Sequence, residues 1–463
     1  MVRKKVHHLA LLLMLVLTCR QRTPAYSLLT HEQLIDLTWQ DSIVPLLLSQ
    51  YPNLTPAQLT RARSYAYGGC AIQDIGYYPF GNQLFSDLTH YVRTGDFVLA
   101  LFRNAHNADE LAFAIGALSH YIGDSYGHSQ ATNRAVALQF PKLAARYGQS
   151  VNYAEGKHQH IQVEFAFDID QIVHHRLAPL TYLRKVGMNV PVHQLALAFY
   201  QTYGISDSYL RPEQFINLRA YRTATRKFIP RVAYALVQIH RSQEPDEPDT
   251  PEAQEIEKEA ANVDAANNWA AFRKKAGFET HLIAFIIRIL PKVGPLALTA
   301  VKGPSPAAEA DYMHSMVSAT SSMRNRLTLF TPLASRQAAP AGVTVTPQSP
   351  LTENQQHPLV NRDLDTGQPV KPGGYSLTDK TYAKLLERLT RKPQQAIPPG
   401  IKQDVLAYYA DENAPIVTKK DPDAWAKVQR ELKVLATMPT SSAPVPYPTY
   451  GETREEDHSK PAE

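Results

Sequence analysis

Apolar positions recur at three- and four-residue steps along most of the chain, and long alternating strand patterns are absent. The clearest run is Leu111, Ile115, Leu118 and Ile122, which fall on one helix face behind an Asn107 cap with Glu110 three residues on. Thr30-His31-Glu32-Gln33 fits a capping box, and Thr55-Pro56 reads as a cap followed by a first-turn proline. Further helices are predicted near 83–93, 158–173, 192–204 and 212–240. The pattern predicts an all-α fold, a multi-helix bundle with helical C-terminal additions.

The polar stretches set the organisation. Residues 26–240 read as the main helical domain, and the acidic, proline-rich stretch around 241–252 as a linker. Residues 253–332 read as a helical extension, in which a helical stretch runs from about Ala253 to Leu290. Its most apolar part, Leu282 to Leu290, is interrupted by Arg288 and followed by Pro291 and Lys292, too short a run to span a bilayer. Residues 333–373, rich in Pro, Gln and Thr, read as a flexible linker. Residues 374–439 form a C-terminal helical segment with a Ser376/Asp379 cap, and 440–463 a disordered tail.

The first 25 residues have the form of an export signal: a basic Met1–Lys5 stretch, a short apolar run from Leu9 to Thr18, and small residues at Thr23-Pro24-Ala25. Cleavage after Ala25 leaves Tyr26 first and predicts a periplasmic or secreted protein. A cut before Cys19, giving a lipoprotein, fits Leu17-Thr18-Cys19 less well. The formal charge of +5 is carried by Arg3, Lys4, Lys5, Arg20 and Arg22, so the remainder is formally neutral. Charge therefore gives no strong case for nucleic acid. Cleavage would also leave Cys70 as the one thiol, with no disulfide to form.

Among the 17 histidines, spacing separates a few from the rest. His120-x-x-x-Asp124 sets an imidazole and a carboxylate one turn apart, and His128 lies four further on, on the same stripe if the helix survives Gly123 and Gly127. His160-x-x-x-Glu164 repeats the arrangement. One such pair is ordinarily a surface contact. Two of them plus His128, in a chain without disulfides, point to metal, and imidazole with carboxylate suits zinc. His158 competes with His160, but only His160 has a carboxylate four residues on. His106, His174 and His175 lack such partners, and Asp87 reads as a helix-face charge. Tyr77, Tyr78, Phe80 and Tyr126 are candidates to line a site, or else core.

The order Tyr26, His31, Asp74, His90, His120-x-x-x-Asp124, His128, His160-x-x-x-Glu164 resembles the ligand order of the zinc-dependent phospholipase C family and of the related single-strand nucleases. The resemblance covers roughly residues 26–175. It implies two to three zinc ions: one held by Asp74, His90, His120 and Asp124, a second by Tyr26 and His31 with Asp124 bridging, and a third by His128, His160 and Glu164. It implies that Tyr26 binds through its freed amine and carbonyl, and that Asp74 doubles as catalytic base. The activity implied is hydrolysis of a phospholipid or other phosphodiester, with transient membrane-surface contact. A nuclease or nucleotidase on the same site is the alternative within the enzymes, and a non-catalytic zinc-stabilised binding protein the alternative outside them.

Overall fold

The computed structural model describes residues 28–77, 81–205, 237, 249–273, 301–335 and 359–441, with backbone only at 329–335. Helices dominate, as expected. α1 (Leu28–Thr38) leads through a wide π turn at Trp39–Ile43 into α2 (Val44–Gln50) and then α3 (Pro56–Cys70). α4 (Gln83–Tyr91), α5 (Thr94–Arg103) and α6 (Ala108–Tyr126) follow, and a second π turn at Gly127–Thr132 leads into α7 (Asn133–Gln139) and α8 (Pro141–Tyr147). α9 (Tyr153–Val173), α10 (Leu180–Val186) and α11 (Val192–Tyr203) complete the first run; α12 (Pro251–Asn267) and α13 (Pro306–Ser335) come after it. A two-stranded antiparallel ribbon, β1 (Arg362–Asp363) and β2 (Gln368–Pro369), precedes α14 (Ser376–Thr390), α15 (Pro399–Tyr408) and α16 (Pro422–Thr437).

Local chemistry accounts for several helix starts. Thr55 and Gln58 cap α3 reciprocally, and Asn152 and Glu155 do the same for α9. Asn107 accepts from the Glu110 amide at the head of α6. Two expected caps are not caps. Thr30 lies inside α1, and its hydroxyl is drawn to Asp168 on α9 at 2.9 Å and Tyr312 on α13 at 3.1 Å. Asp379 turns away from the start of α14 to accept from the Gly373 and Val417 amides. Tertiary partners outbid the local ones in both cases.

α3 and α6 cross almost backbone to backbone. A Cβ on Gly69 would lie 2.1 Å from the Phe113 carbonyl oxygen, and one on Gly116 would lie 2.1 Å from that of Ala66. Only glycine allows this approach. It brings the end of α3, and the short 3-10 turn Ile72–Asp74 after it, against the half of α6 that carries His120 and Asp124.

A main core runs through the described residues, including Leu34 of α1, Tyr67 of α3, Phe113 of α6, Phe167 of α9, Met316 of α13, Leu385 of α14 and Ile401 of α15, with a small second cluster at Tyr153 and Ile161. The helix predicted from 253 ends at Asn267, where Asn268 takes a left-handed conformation; the Leu282–Leu290 run lies outside the described residues. The stretch expected as a flexible linker is packed where it is described: Leu359, Leu364 and Asp363 are buried, and residues 336–358 lie outside the described residues. Thr440 and Ser441 are likewise held against Ile397, while the rest of the tail lies outside the described residues. Among the described residues no helix is long and apolar enough to cross a membrane.

Candidate metal centre

Four elements converge on a buried set of imidazoles and carboxylates. α1 supplies His31, the turn after α3 Asp74, α4 His90, and α6 both His120 and Asp124; each is at most 1% exposed. His90 Nε2 lies 3.2 Å from Asp74 Oδ1, 3.4 Å from Asp124 Oδ2 and 3.3 Å from His120 Nε2. His120 Nε2 lies 3.2 Å from Asp124 Oδ2 and 3.8 Å from Asp74 Oδ1. A tetrahedral zinc with bonds of ~2.0–2.1 Å has donor-to-donor edges of about 3.3–3.4 Å. Four of these five separations lie near such edges, and that from His120 Nε2 to Asp74 Oδ1 is wider. The other oxygen of Asp124, Oδ1, faces His31 Nε2 at 3.3 Å, so one carboxylate serves two adjoining positions.

The rings are aimed by their far nitrogens. His90 Nδ1 is 2.7 Å from the Ser86 carbonyl oxygen, and His120 Nδ1 is 2.8 Å from that of Cys70. Each carbonyl accepts an Nδ1–H and so leaves Nε2 as the lone-pair donor toward the cluster. Cys70 takes part through this carbonyl alone: its thiol is buried, and burial pushes its pKa well up.

A second group lies beside the first. After Tyr126 the chain leaves α6 by the π turn, and the wider turn carries His128 across toward α9. His128 Nδ1 is 3.0 Å from His160 Nε2, which is 3.1 Å from Glu164 Oε1. The three are joined in series through His160. The far nitrogen of His128, Nε2, faces Asp365 Oδ1 at 3.5 Å.

The buried atoms behave as metal donors should. Both oxygens of Asp74 and of Asp124 and Glu164 Oε1 make no hydrogen bond among the described residues, which is costly unless another partner satisfies them. Burial alone would raise the Asp124 carboxyl, but the imidazoles of His120, His31 and His90 hold it well below the ordinary range. Burial lowers His90 and His120, yet the carboxylates of Asp124 and Asp74 lift both above the usual histidine value. In the second group burial prevails. It pushes His160 down to about 3 and His128 well down, and raises Glu164, with Asp124, Asp74 and Asp365 adding to the rise.

Eight of the nine ligands expected from the sequence thus come together; Tyr26 lies outside the described residues, as do Tyr78 and Phe80. Tyr77 is buried with its ring 5.3 Å from that of His90, and Tyr126 is half-buried. His158 is exposed, as are His106 and His175. Asp87 is not a solvated helix-face charge: it is buried and paired with Lys384 of α14 at 3.0 Å. His174 has partners after all, since it forms a compact group with Asp170 and Glu309. Asp365 was missed. The signal available was Asp363-Leu364-Asp365-Thr366-Gly367, two carboxylates before a glycine within a stretch otherwise rich in Pro, Gln and Thr.

Residues 30–211 match the family model described as zinc dependent phospholipase C. This bears out the resemblance carried by the order of histidines and carboxylates, and the all-helical architecture agrees with it. No curated protein and no solved structure matches the chain.

Proposed function

We infer, from a segment that matches the zinc-dependent phospholipase C family and folds its histidines and carboxylates into one buried centre, that the protein is a zinc-dependent hydrolase of phosphoester bonds acting on phospholipid head groups. The observation that carries this reading is the four-donor set of Asp74, His90, His120 and Asp124, with Asp124 shared toward His31. A purely structural zinc site has no use for a neighbouring half-site joined by a common carboxylate. Bound zinc supplies Lewis acidity, polarising phosphoryl oxygens and acidifying water.

The chain's own residues do the rest. His90 and His120 are locked by the Ser86 and Cys70 carbonyls and hold the donor frame rigid. Asp74 has two buried oxygens without hydrogen bonds, one toward His90 and one left to accept a proton, which supports its double role as ligand and base. Tyr77 forms part of the wall beside His90 and helps exclude water.

Beside His31 we propose that the amine and carbonyl of a mature Tyr26 terminus complete the donor set after export. A chain beginning at Tyr26 should be active, and one with residues added before it should lose one zinc and most activity. Tyr26→Phe should be nearly silent. Substrate class is tested by assaying the protein, with zinc and after chelation, on phosphatidylcholine vesicles, single-stranded DNA and a generic phosphodiester. Zinc-dependent release of a phosphorylated head group is expected; turnover of DNA alone would overturn the phospholipid reading.

A further inference from the structure

The second donor group is finished by a residue from far along the chain. Residues 359–375 cross the region between α4, α6 and α9 as a strap. Its contacts fall beside the donors: the Leu364 amide donates to the carbonyl of His90 at 3.0 Å, and Asn133 Nδ2 donates to the carbonyl of Asp365 at 2.8 Å. The Tyr121 hydroxyl donates to the Val360 carbonyl at 2.6 Å. At Gly367 (φ +68°) a Cβ would lie 2.4 Å from the carbonyl oxygen of Ser125, the residue after Asp124. The reverse turn is closed by the Gly367 amide on the Asp363 carbonyl, and Asp363 is itself held by Thr366 and Thr378.

At the tip sits Asp365, 3% exposed. Its Oδ2 accepts from the Tyr375 hydroxyl at 2.7 Å and from the Tyr91 hydroxyl at 2.9 Å. Those two bonds fix the carboxylate with Oδ1 toward His128 Nε2 at 3.5 Å, while the other ring nitrogen faces His160 at 3.0 Å. In the first donor group backbone carbonyls hold the outer nitrogens of His90 and His120. Among the described residues no carbonyl plays that part for His128. A carboxylate stands there instead.

We propose that Asp365 is a positioning residue of the metal centre: it takes the Nε2–H of His128, fixes that ring's tautomer, and turns Nδ1 into the donor shared with His160 and Glu164. The proposal rests on the metal reading above and adds to it a residue outside the matched segment 30–211. A carboxylate behind an imidazole raises its basicity and fixes its orientation, and loss of such a partner typically weakens metal binding by about 10–100-fold.

The test is a zinc titration of the metal-free full chain against a competing chelator, on wild type, Asp365→Asn and His106→Ala. Wild type should fill its sites, His106→Ala should match it, and Asp365→Asn should weaken one site by about 10–100-fold while leaving the others unchanged. In a His128→Ala background Asp365→Asn should cause no further loss, because its effect passes through that ring. Wild type without stoichiometric zinc would overturn the metal reading itself. Wild type with zinc and an unaltered Asp365→Asn would overturn this inference alone. Nitrogen-15 NMR of histidine-labelled, zinc-loaded wild type needs no variant to fold. It should find His128 protonated at Nε2 and His90 and His120 protonated at Nδ1, and His128 protonated at Nδ1 would contradict the proposal.

Discussion

The two donor groups are neighbours but are built differently. The first is compact, drawn from α1, the turn after α3, α4 and α6, with the His90 and His120 rings held by backbone carbonyls and the Asp124 carboxylate kept ionised by the imidazoles around it. The second is a series of contacts across the π turn, α9 and a distant strap; its histidines are neutral and its Glu164 is pushed toward the protonated form. Rigidity in the first follows from secondary structure. In the second it depends on tertiary contacts made some two hundred residues later in the chain. The first group should therefore set the frame, and the second should be the one that mutation or partial unfolding loosens.

The largest effect should come from Asp124, which both positions of the first group share. Asp124→Asn is expected to lower activity by about a thousandfold, near 4 kcal/mol of transition-state stabilisation, with loss of metal seen by elemental analysis. A decline in activity with full metal retained would break the assignment of a shared ligand. Next is metal removal. Zinc at a thousand times its dissociation constant stabilises the folded state by about 4 kcal/mol, and chelation should remove that from the thermal unfolding transition.

Protonation sharpens the contrast. In the metal-free protein His90 and His120 have raised pKa values, so they stay charged to higher pH, and zinc entering the first group must displace their protons. Its affinity there falls as pH is lowered through their raised range. In the second group His128 and His160 are held toward the neutral form, and Glu164 is pushed toward its protonated form. Calorimetry in buffers of different ionisation enthalpy should register more protons released at the first group than at the second. Equal release at both would contradict the difference in electrostatics.

Smaller effects test the scaffold. Gly116→Ala should force α3 and α6 apart, costing about 1–3 kcal/mol and weakening zinc at the first group before the second. His106→Ala lies on an exposed position away from both groups and should change stability by less than about 0.5 kcal/mol, with metal content unaltered.

Within the first group His120-x-x-x-Asp124 was legible from spacing as a one-turn pair, whereas His31, Asp74 and His90 were expected only from the resemblance in ligand order. His160-x-x-x-Glu164 was legible for the same reason. The His128 geometry was less so. A spacing of four places it on the stripe of His120 and Asp124, whereas the π turn rotates it toward α9. Asp365 had no periodic signature. Its burial comes from two phenols and a reverse turn, and the surrounding composition reads as linker. The Thr30 and Asp379 caps failed for a related reason: short polar side chains satisfy the local rule or a distant partner, and local sequence does not say which.

The central claim is that the two groups together form one multi-metal centre. It is tested most directly by elemental analysis and zinc-edge X-ray absorption on full-length protein purified without chelators, alongside His120→Ala and His160→Ala. The account predicts stoichiometric zinc in nitrogen and oxygen coordination without sulfur, and loss of different zinc ions in the two variants. Protein that carries no stoichiometric metal, or two variants that bind as much zinc as wild type, would contradict it.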